Sequence, residues 1–98
     1  MIYLVSYDIE DDKKRKKVAD RLLADGLIRV QYSVFIGPLK TRLRDKLLAW
    51  LIQKLDQPES EHLIFLRLHA SDLENMPILG EHSWDLGDLI GGQHTLFI

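Results

Sequence analysis

The first ten residues, Met1–Glu10, read MIYLVSYDIE, an apolar run that ends in a carboxylate. Ile2, Tyr3, Leu4, Val5 and Tyr7 are strand formers. With so little polar alternation among them, the run reads as a strand buried on both faces. A second such run, LIFLRL, lies within His62–Ala70. Two strands of this kind constrain a chain of 98 residues sharply, because each needs cover on two sides. Asp8 closes the first run between Tyr7 and Ile9. A carboxylate beside apolar neighbours needs a cation, a donor or a proton. Asp8 is therefore a candidate for chemistry; the alternative is that it simply begins the turn into the next helix.

A chain of this length makes one domain, residues 1–98, with a modest core that an oligomer would reinforce. Hydrophobic residues at 46% and charged residues at 29% are those of an ordinary soluble globular protein. No apolar run approaches the ~18–20 residues of a membrane helix, so no membrane role is expected. The N-terminus starts directly with a strand and lacks the basic region and cleavage site of a signal peptide. The absence of cysteine excludes a disulfide scaffold, thiolate zinc sites and a Cys nucleophile, and it fits a cytoplasmic protein.

The net charge of −2 hides an asymmetry. Residues 1–12 carry net −4, residues 13–46 net +8, and residues 47–98 net −6. A middle third this basic is the footprint of a nucleic-acid contact surface.

Asp11 and Asp12 are good N-caps for a helix running from about Asp12 to Asp25, with Gly26 just past its end. Val18, Ala19, Leu22 and Leu23 form its apolar stripe. Lys13, Lys14, Arg15, Lys16, Lys17 and Arg21 form the other face, either a solvated face or a contact surface. Arg29–Leu39 is extended, either one bent strand or a very short hairpin, with Val30, Tyr32, Val34 and Ile36 alternating against Arg29, Gln31, Ser33 and Phe35. Gly37-Pro38 ends it. A second helix follows, capped by Thr41, with Leu43, Leu47, Leu48, Leu51, Ile52 and Leu55 as its apolar stripe. After the LIFLRL strand, Ser71 and Asp72 predict a turn and Met76–Leu79 a short strand. His94–Ile98, HTLFI, is a strand-like tail.

This order predicts an α+β sandwich, with two helices on one face of a small antiparallel sheet. Two helices cover one face only. The cheapest cover for the other is a copy of the same sheet, hence a two-fold homodimer that forms through it. Residues 93–98 either add a strand to the partner subunit or form an edge strand of their own sheet.

His62, His69, His82 and His94 show no short metal-ligand spacing, and no serine sits in a nucleophile-elbow context. Asp8, Glu10, Asp11 and Asp12 lack the spacing of a calcium loop. A dimer that brought both Asp8 side chains together would change this. Two facing carboxylates repel, and a Mg²⁺ between them would relieve the repulsion and polarise a phosphodiester.

The YDI motif at Tyr7–Ile9, the basic helix after it, and RVQYSVF at Arg29–Phe35 with Gly37 and Leu39 resemble the CRISPR-associated endoribonuclease of the Cas-two family. This family is the small dimeric subunit of the spacer-acquisition complex. The resemblance extends to the chain length, the second helix, the LIFLRL strand and the ILG at Ile78–Gly80. It implies a ferredoxin-like fold, a homodimer, and Asp8 as the metal-binding and catalytic carboxylate. It implies Mg²⁺, with Mn²⁺ as a substitute, and hydrolysis of single-stranded RNA or double-stranded DNA. It also implies a partner, the CRISPR integrase, in antiviral defence. Tyr7, Asp8, Arg15, Arg29 and Phe35 fall on family positions tied to activity or its support. Lys17 stands where many members have Arg, keeping the charge without the planar donor fork. Ile36 stands where many carry an acid.

Two functions follow from the resemblance. In the first, an enzyme, Asp8 of both protomers holds one Mg²⁺ while Arg15, Lys17 and Arg29 position the backbone. In the second, a structural adaptor, the basic face of Lys13, Lys14, Lys16 and Lys17 binds DNA and the tail docks the integrase, without hydrolysis. A VapD-type toxin ribonuclease of similar fold is a third possibility.

Overall fold

The computed structural model describes residues 1–91 as one four-stranded antiparallel sheet with helices on both faces. The elements run β1 (Ile2–Ile9), α1 (Asp12–Ala24), β2 (Ile28–Gln31), β3 (Val34–Pro38), α2 (Thr41–Lys54), β4 (Glu61–Leu68), α3 (Ala70–Glu74) and α4 (Leu86–Ile90). The sheet order is β2-β3-β1-β4. This is the split βαββαβ arrangement of a ferredoxin-like fold, and it puts β1 in the interior of the sheet.

Strand alternation divides β1 between two cores. Tyr3, Val5, Tyr7 and Ile9 face Val18, Ala19 and Leu22 of α1 and Leu47 and Leu51 of α2. Ile2 and Leu4 face the opposite side, where Leu73 of α3 and Leu89 of α4 close over them and over Ile36, Ile28 and Val30. The unbroken apolar run of β1 thus reflects cover on both faces, and the second cover comes in part from the chain's own residues 70–91. On that second side the β4 residues Ile64 and Leu66 stay 63% and 48% exposed.

The ends of α1 follow from its flanking residues. The Asp11 carboxylate accepts from the Lys14 amide at 2.8 Å. Gly26 takes φ +95, and its N–H and that of Leu27 close the last turn onto Leu23 and Leu22. Arg29–Leu39 is a hairpin, with Tyr32 and Ser33 as its turn and an irregularity between Arg29 and Gln31. That irregularity overturns the simple alternation expected there. Phe35, placed on the polar phase, is buried on the helix side, while Ile36 is buried on the other, because β3 is interior and covered twice. Tyr32 is left 70% exposed at the turn.

Three further expectations are corrected. Thr41 does not cap α2. The Leu39 amide is held by the Met1 carbonyl at 2.9 Å, which leaves Lys40 extended at the N-cap with no side-chain cap bond. The apolar stripe of α2 is narrower than expected: Leu47 and Leu51 are buried, but Leu43 and Ile52 are 40% and 69% exposed. No strand forms over Met76–Leu79. Asp72 accepts from the His69 amide at 2.8 Å and starts α3 where a turn was expected, and Pro77 has no donor to offer a ladder. The predicted tail strand at 93–98 lies outside the described residues.

Candidate active site and nucleic-acid interface

Asp8 is the last inward step of β1 on the second face of the sheet. Its neighbours on that face, Ile2, Leu4 and Ser6, become progressively less covered toward it, and Asp8 itself is exposed. The interior carboxylate expected from its apolar neighbours is therefore a solvated one: Tyr7 and Ile9 point away, into the helix-side core. Directly across the ladder stands His62, also exposed, followed on β4 by Ile64 opposite Ser6. His62 is the residue that the sequence did not single out beside Asp8, since only the strand register brings them together.

Tyr7, Phe35 and Arg29 assemble on the other face. The Tyr7 ring stacks on Phe35 with centroids 6.0 Å apart. The Arg29 guanidinium lies over Phe35 at 4.9 Å and over Tyr32 at 5.3 Å. Tyr7 and Phe35 are 5% and 0% exposed, so they are support rather than contact surface. The Tyr7 hydroxyl is buried without a hydrogen-bond partner among the described residues. Within one chain, then, Asp8 and the Tyr7–Phe35–Arg29 stack lie on opposite sides of the sheet.

The basic helix divides into tethered and free cations. Arg15 donates to the Ile9 and Glu10 carbonyls at 2.9 and 3.2 Å and to the Asp12 carboxylate, fastening α1 to the end of β1 beside Asp8. Asp12 first, and then the Tyr32 hydroxyl, hold the Arg15 guanidinium above its ordinary pKa. Lys14 reaches Glu61 at 2.5 Å and Asp56 at 2.9 Å. Glu61 is 8% exposed and also accepts the Gln57 amide at 2.9 Å, so Lys14 neutralises a buried carboxylate. Its hydrogen bond to Glu61, followed by that to Asp56, raises the Lys14 pKa. Lys16 pairs with Asp20 across one helical turn at 2.8 Å. Lys13 and Lys17 have no ion pair among the described residues. They line a cleft of about 520 Å³ between α1 and α2, with Lys54 and Trp50 on its far side.

The donor set bears on the expected metal. Among the described residues no three His, Cys, Asp or Glu side chains converge. One protomer thus offers Asp8 as a single hard oxygen ligand. That fits Mg²⁺, which keeps several waters and is held through one or two carboxylates, better than a cation needing a full protein cage.

Comparison with known proteins places this architecture. A family model described as CRISPR associated protein Cas2 matches residues 1–76. A CRISPR-associated endoribonuclease Cas2 from Synechocystis sp. is 41% identical over 81 residues, 82% of this chain and 85% of its own length. Another, from Pyrobaculum aerophilum, is 47% identical over 55 residues, 56% of either chain. Among solved structures, Cas2 of Streptococcus pyogenes superposes with a TM-score of 0.70 at 26% identity, covering 82% of this chain and all of that one (100%). A hypothetical protein from Thermus thermophilus gives 0.68 at 34% identity, covering 82% and 90%.

Proposed function

This chain belongs to the CRISPR associated protein Cas2 family, and from that premise we propose that it is a metal-dependent endonuclease with Asp8 at its centre. The observation that carries the proposal is the placement of Asp8. It is a solvated carboxylate at the C-terminal end of an interior strand, paired with His62 of β4 in the ladder, while on the other side the residue before it is held by the hydrogen bond from the Tyr7 amide to the Ser33 carbonyl. The substrate class is RNA, single-stranded, or double-stranded DNA, and the setting is spacer acquisition with the CRISPR integrase in antiviral defence. Mg²⁺, or Mn²⁺ in its place, would be held by Asp8 and would polarise the scissile phosphate and lower the pKa of a bound water.

The chain's own groups do the rest. Arg15 sets the end of β1, and hence Asp8, by its two carbonyl contacts. Lys13 and Lys17, which have no ion pair among the described residues, are the α1 cations offered to phosphates. A homodimer supplies a second carboxylate. Ile64 and Leu66 leave apolar surface on the face that carries Asp8, and a copy seated there would shield them and bring the two Asp8 side chains toward each other.

The test is cleavage of labelled RNA and duplex DNA with Mg²⁺, Mn²⁺ or chelator, wild type beside Asp8→Asn. Metal-dependent cleavage lost in the variant is the expected result. Because Asp8 is exposed, the variant's stability should stay within about 0.5 kcal/mol of wild type. Equal cleavage by both proteins removes Asp8 from the site. A second reading, the non-catalytic adaptor, is favoured by the single carboxylate per protomer; undiminished DNA binding with no cleavage under any metal would select it.

A further inference from the structure

The turn between β2 and β3 carries an aromatic ring that the endonuclease reading leaves without a role. Tyr32 is 70% exposed, yet its ring is not loosely placed. One face lies against the Arg29 guanidinium at 5.3 Å. Arg29 is held in turn over the buried Phe35 at 4.9 Å, and Phe35 stacks on Tyr7 in the core. The turn is also fastened to β1, since the Tyr7 amide donates to the Ser33 carbonyl at 3.1 Å, one residue from Asp8. An exposed ring set through an unbroken series of contacts down to the core is oriented before any ligand arrives, which removes an ordering cost from binding.

Beside this ring is a cleft of about 360 Å³ lined by Arg15, Lys16, Arg29 and Tyr32 with Asp12 and Asp20. Three cations face two carboxylates there. Arg15 and Lys16 already have Asp12 and Asp20 as partners. A phosphate in the cleft would have to compete for them, so its electrostatic gain is small. The Tyr32 ring, 70% exposed with Arg29 against it, meets no such competition among the described residues. The occupant best matched is thus flat and π-rich with one anionic group, which describes a nucleotide whose base is unpaired.

We propose that Tyr32, backed by Arg29, is the stacking platform for one unpaired nucleobase, with that nucleotide's phosphate against Arg15 and Lys16. The inference rests on the endonuclease reading and names the part of the strand that the site grips. A base within a duplex is stacked on its neighbours and cannot offer its face. The platform therefore selects single strands, and it tolerates any base, because every base has a π-face.

The experiment is binding, measured without added metal. The probes are a single-stranded RNA carrying 2-aminopurine, the same sequence as single-stranded DNA, and the matched duplex. Tyr32→Ala should bind both single strands about 5- to 150-fold more weakly than wild type and lose the quenching of 2-aminopurine. Tyr32→Trp should retain both properties, and duplex binding should be the same in all three proteins. Matching urea midpoints for wild type and Tyr32→Ala would confirm that the loss is local. Undiminished single-strand binding by Tyr32→Ala overturns the platform, and so does an equal loss on the duplex. A loss seen with RNA and absent with DNA overturns stacking as its cause. These results stand apart from the cleavage assay. Metal-dependent, Asp8-dependent cleavage by a protein indifferent to Tyr32→Ala refutes the platform alone, and wild type that binds no single strand refutes the platform and confines the endonuclease reading to duplex DNA, whereas absence of any Asp8-dependent cleavage refutes that reading.

Discussion

Tyr7→Phe separates the two roles open to a tyrosine next to Asp8. The Tyr7 side chain is 5% exposed, and its hydroxyl is buried with no partner among the described residues. Leaving a hydroxyl unsatisfied in the interior costs about 1–3 kcal/mol. Phenylalanine removes that group and keeps the ring, which still stacks on Phe35. The void left by one oxygen is small, and its packing loss offsets only part of the gain. The variant should be more stable by about 1 kcal/mol, raising Tm by about 4–8 °C in a domain of this size. Tyr7→Ala, by contrast, empties the core position and should lose about 3–5 kcal/mol, as large aromatic truncations do. Urea titration of the three proteins gives the differences, and metal-dependent cleavage is read on the same preparations. A stabilised Tyr7→Phe with unchanged cleavage is expected, because a sealed hydroxyl cannot touch a substrate. A variant less stable than wild type would show that the hydroxyl is satisfied after all. A stable variant without cleavage would put the hydroxyl in the chemistry and refute the burial argument.

Gly37→Ala should destabilise by about 1–3 kcal/mol, because a Cβ there would meet Leu27 Cδ2 at 2.8 Å and the Leu27 backbone at 3.1 Å; a urea midpoint equal to wild type would show that Leu27 yields freely. The Lys14 hydrogen bond holds the Asp56 carboxyl below its ordinary value of 3.8, so its contribution to stability is present above that pH and is lost as the pH falls through the lowered value. Urea midpoints of wild type should consequently fall more steeply than those of Asp56→Asn toward pH 3, and parallel curves would deny the interaction any weight. Lys13→Gln with Lys17→Gln should flatten the dependence of nucleic-acid affinity on salt by about 0.7–0.9 in log–log slope per lysine. Lys14→Gln should mainly weaken the fold, because it strands Glu61; a full slope change from that variant would mean that Lys14 leaves its carboxylates to meet phosphate.

The fold was legible wherever a pattern is local. The run of β1, the stripe of α1 with Gly26 past its end, and the LIFLRL of β4 carry their own periodicity, and all three elements form where expected. Local capping by Asp72 and the missing donor of Pro77 explain the absent strand at Met76–Leu79; the other misses depend on contacts distant in sequence. Of the two alternatives for Arg29–Leu39 the hairpin is the one that forms, but the burial of Phe35 depends on β3 lying inside the sheet, which no window of the hairpin reveals. The start of α2 is set by a hydrogen bond from Leu39 back to Met1. The second cover for β1 is expected from another copy because two long helices cover one face only. Leu73 and Leu89, isolated in sequence, nevertheless close over Ile2 and Ile36.

The site shows the same division more sharply. Composition marks α1 as basic but cannot tell a free cation from a tethered one. Lys14 differs from Lys13 and Lys17 only because Glu61, far along the chain, is buried within its reach. A lone acid at the head of the HLIFL run was the signal for that tether, and it became meaningful only once β4 lay beside β1. Asp8 illustrates the converse. Its apolar neighbours suggested a buried carboxylate, but strand alternation turns them to the opposite face. In the proposed enzyme the chemistry at Asp8 comes from what would be placed against that face: a hydrated cation, a second carboxylate and the nucleic acid. Ile64 and Leu66 make the same face partly apolar. If a copy seats there, as proposed, one surface serves both assembly and catalysis, and each protomer supplies one carboxylate of the site.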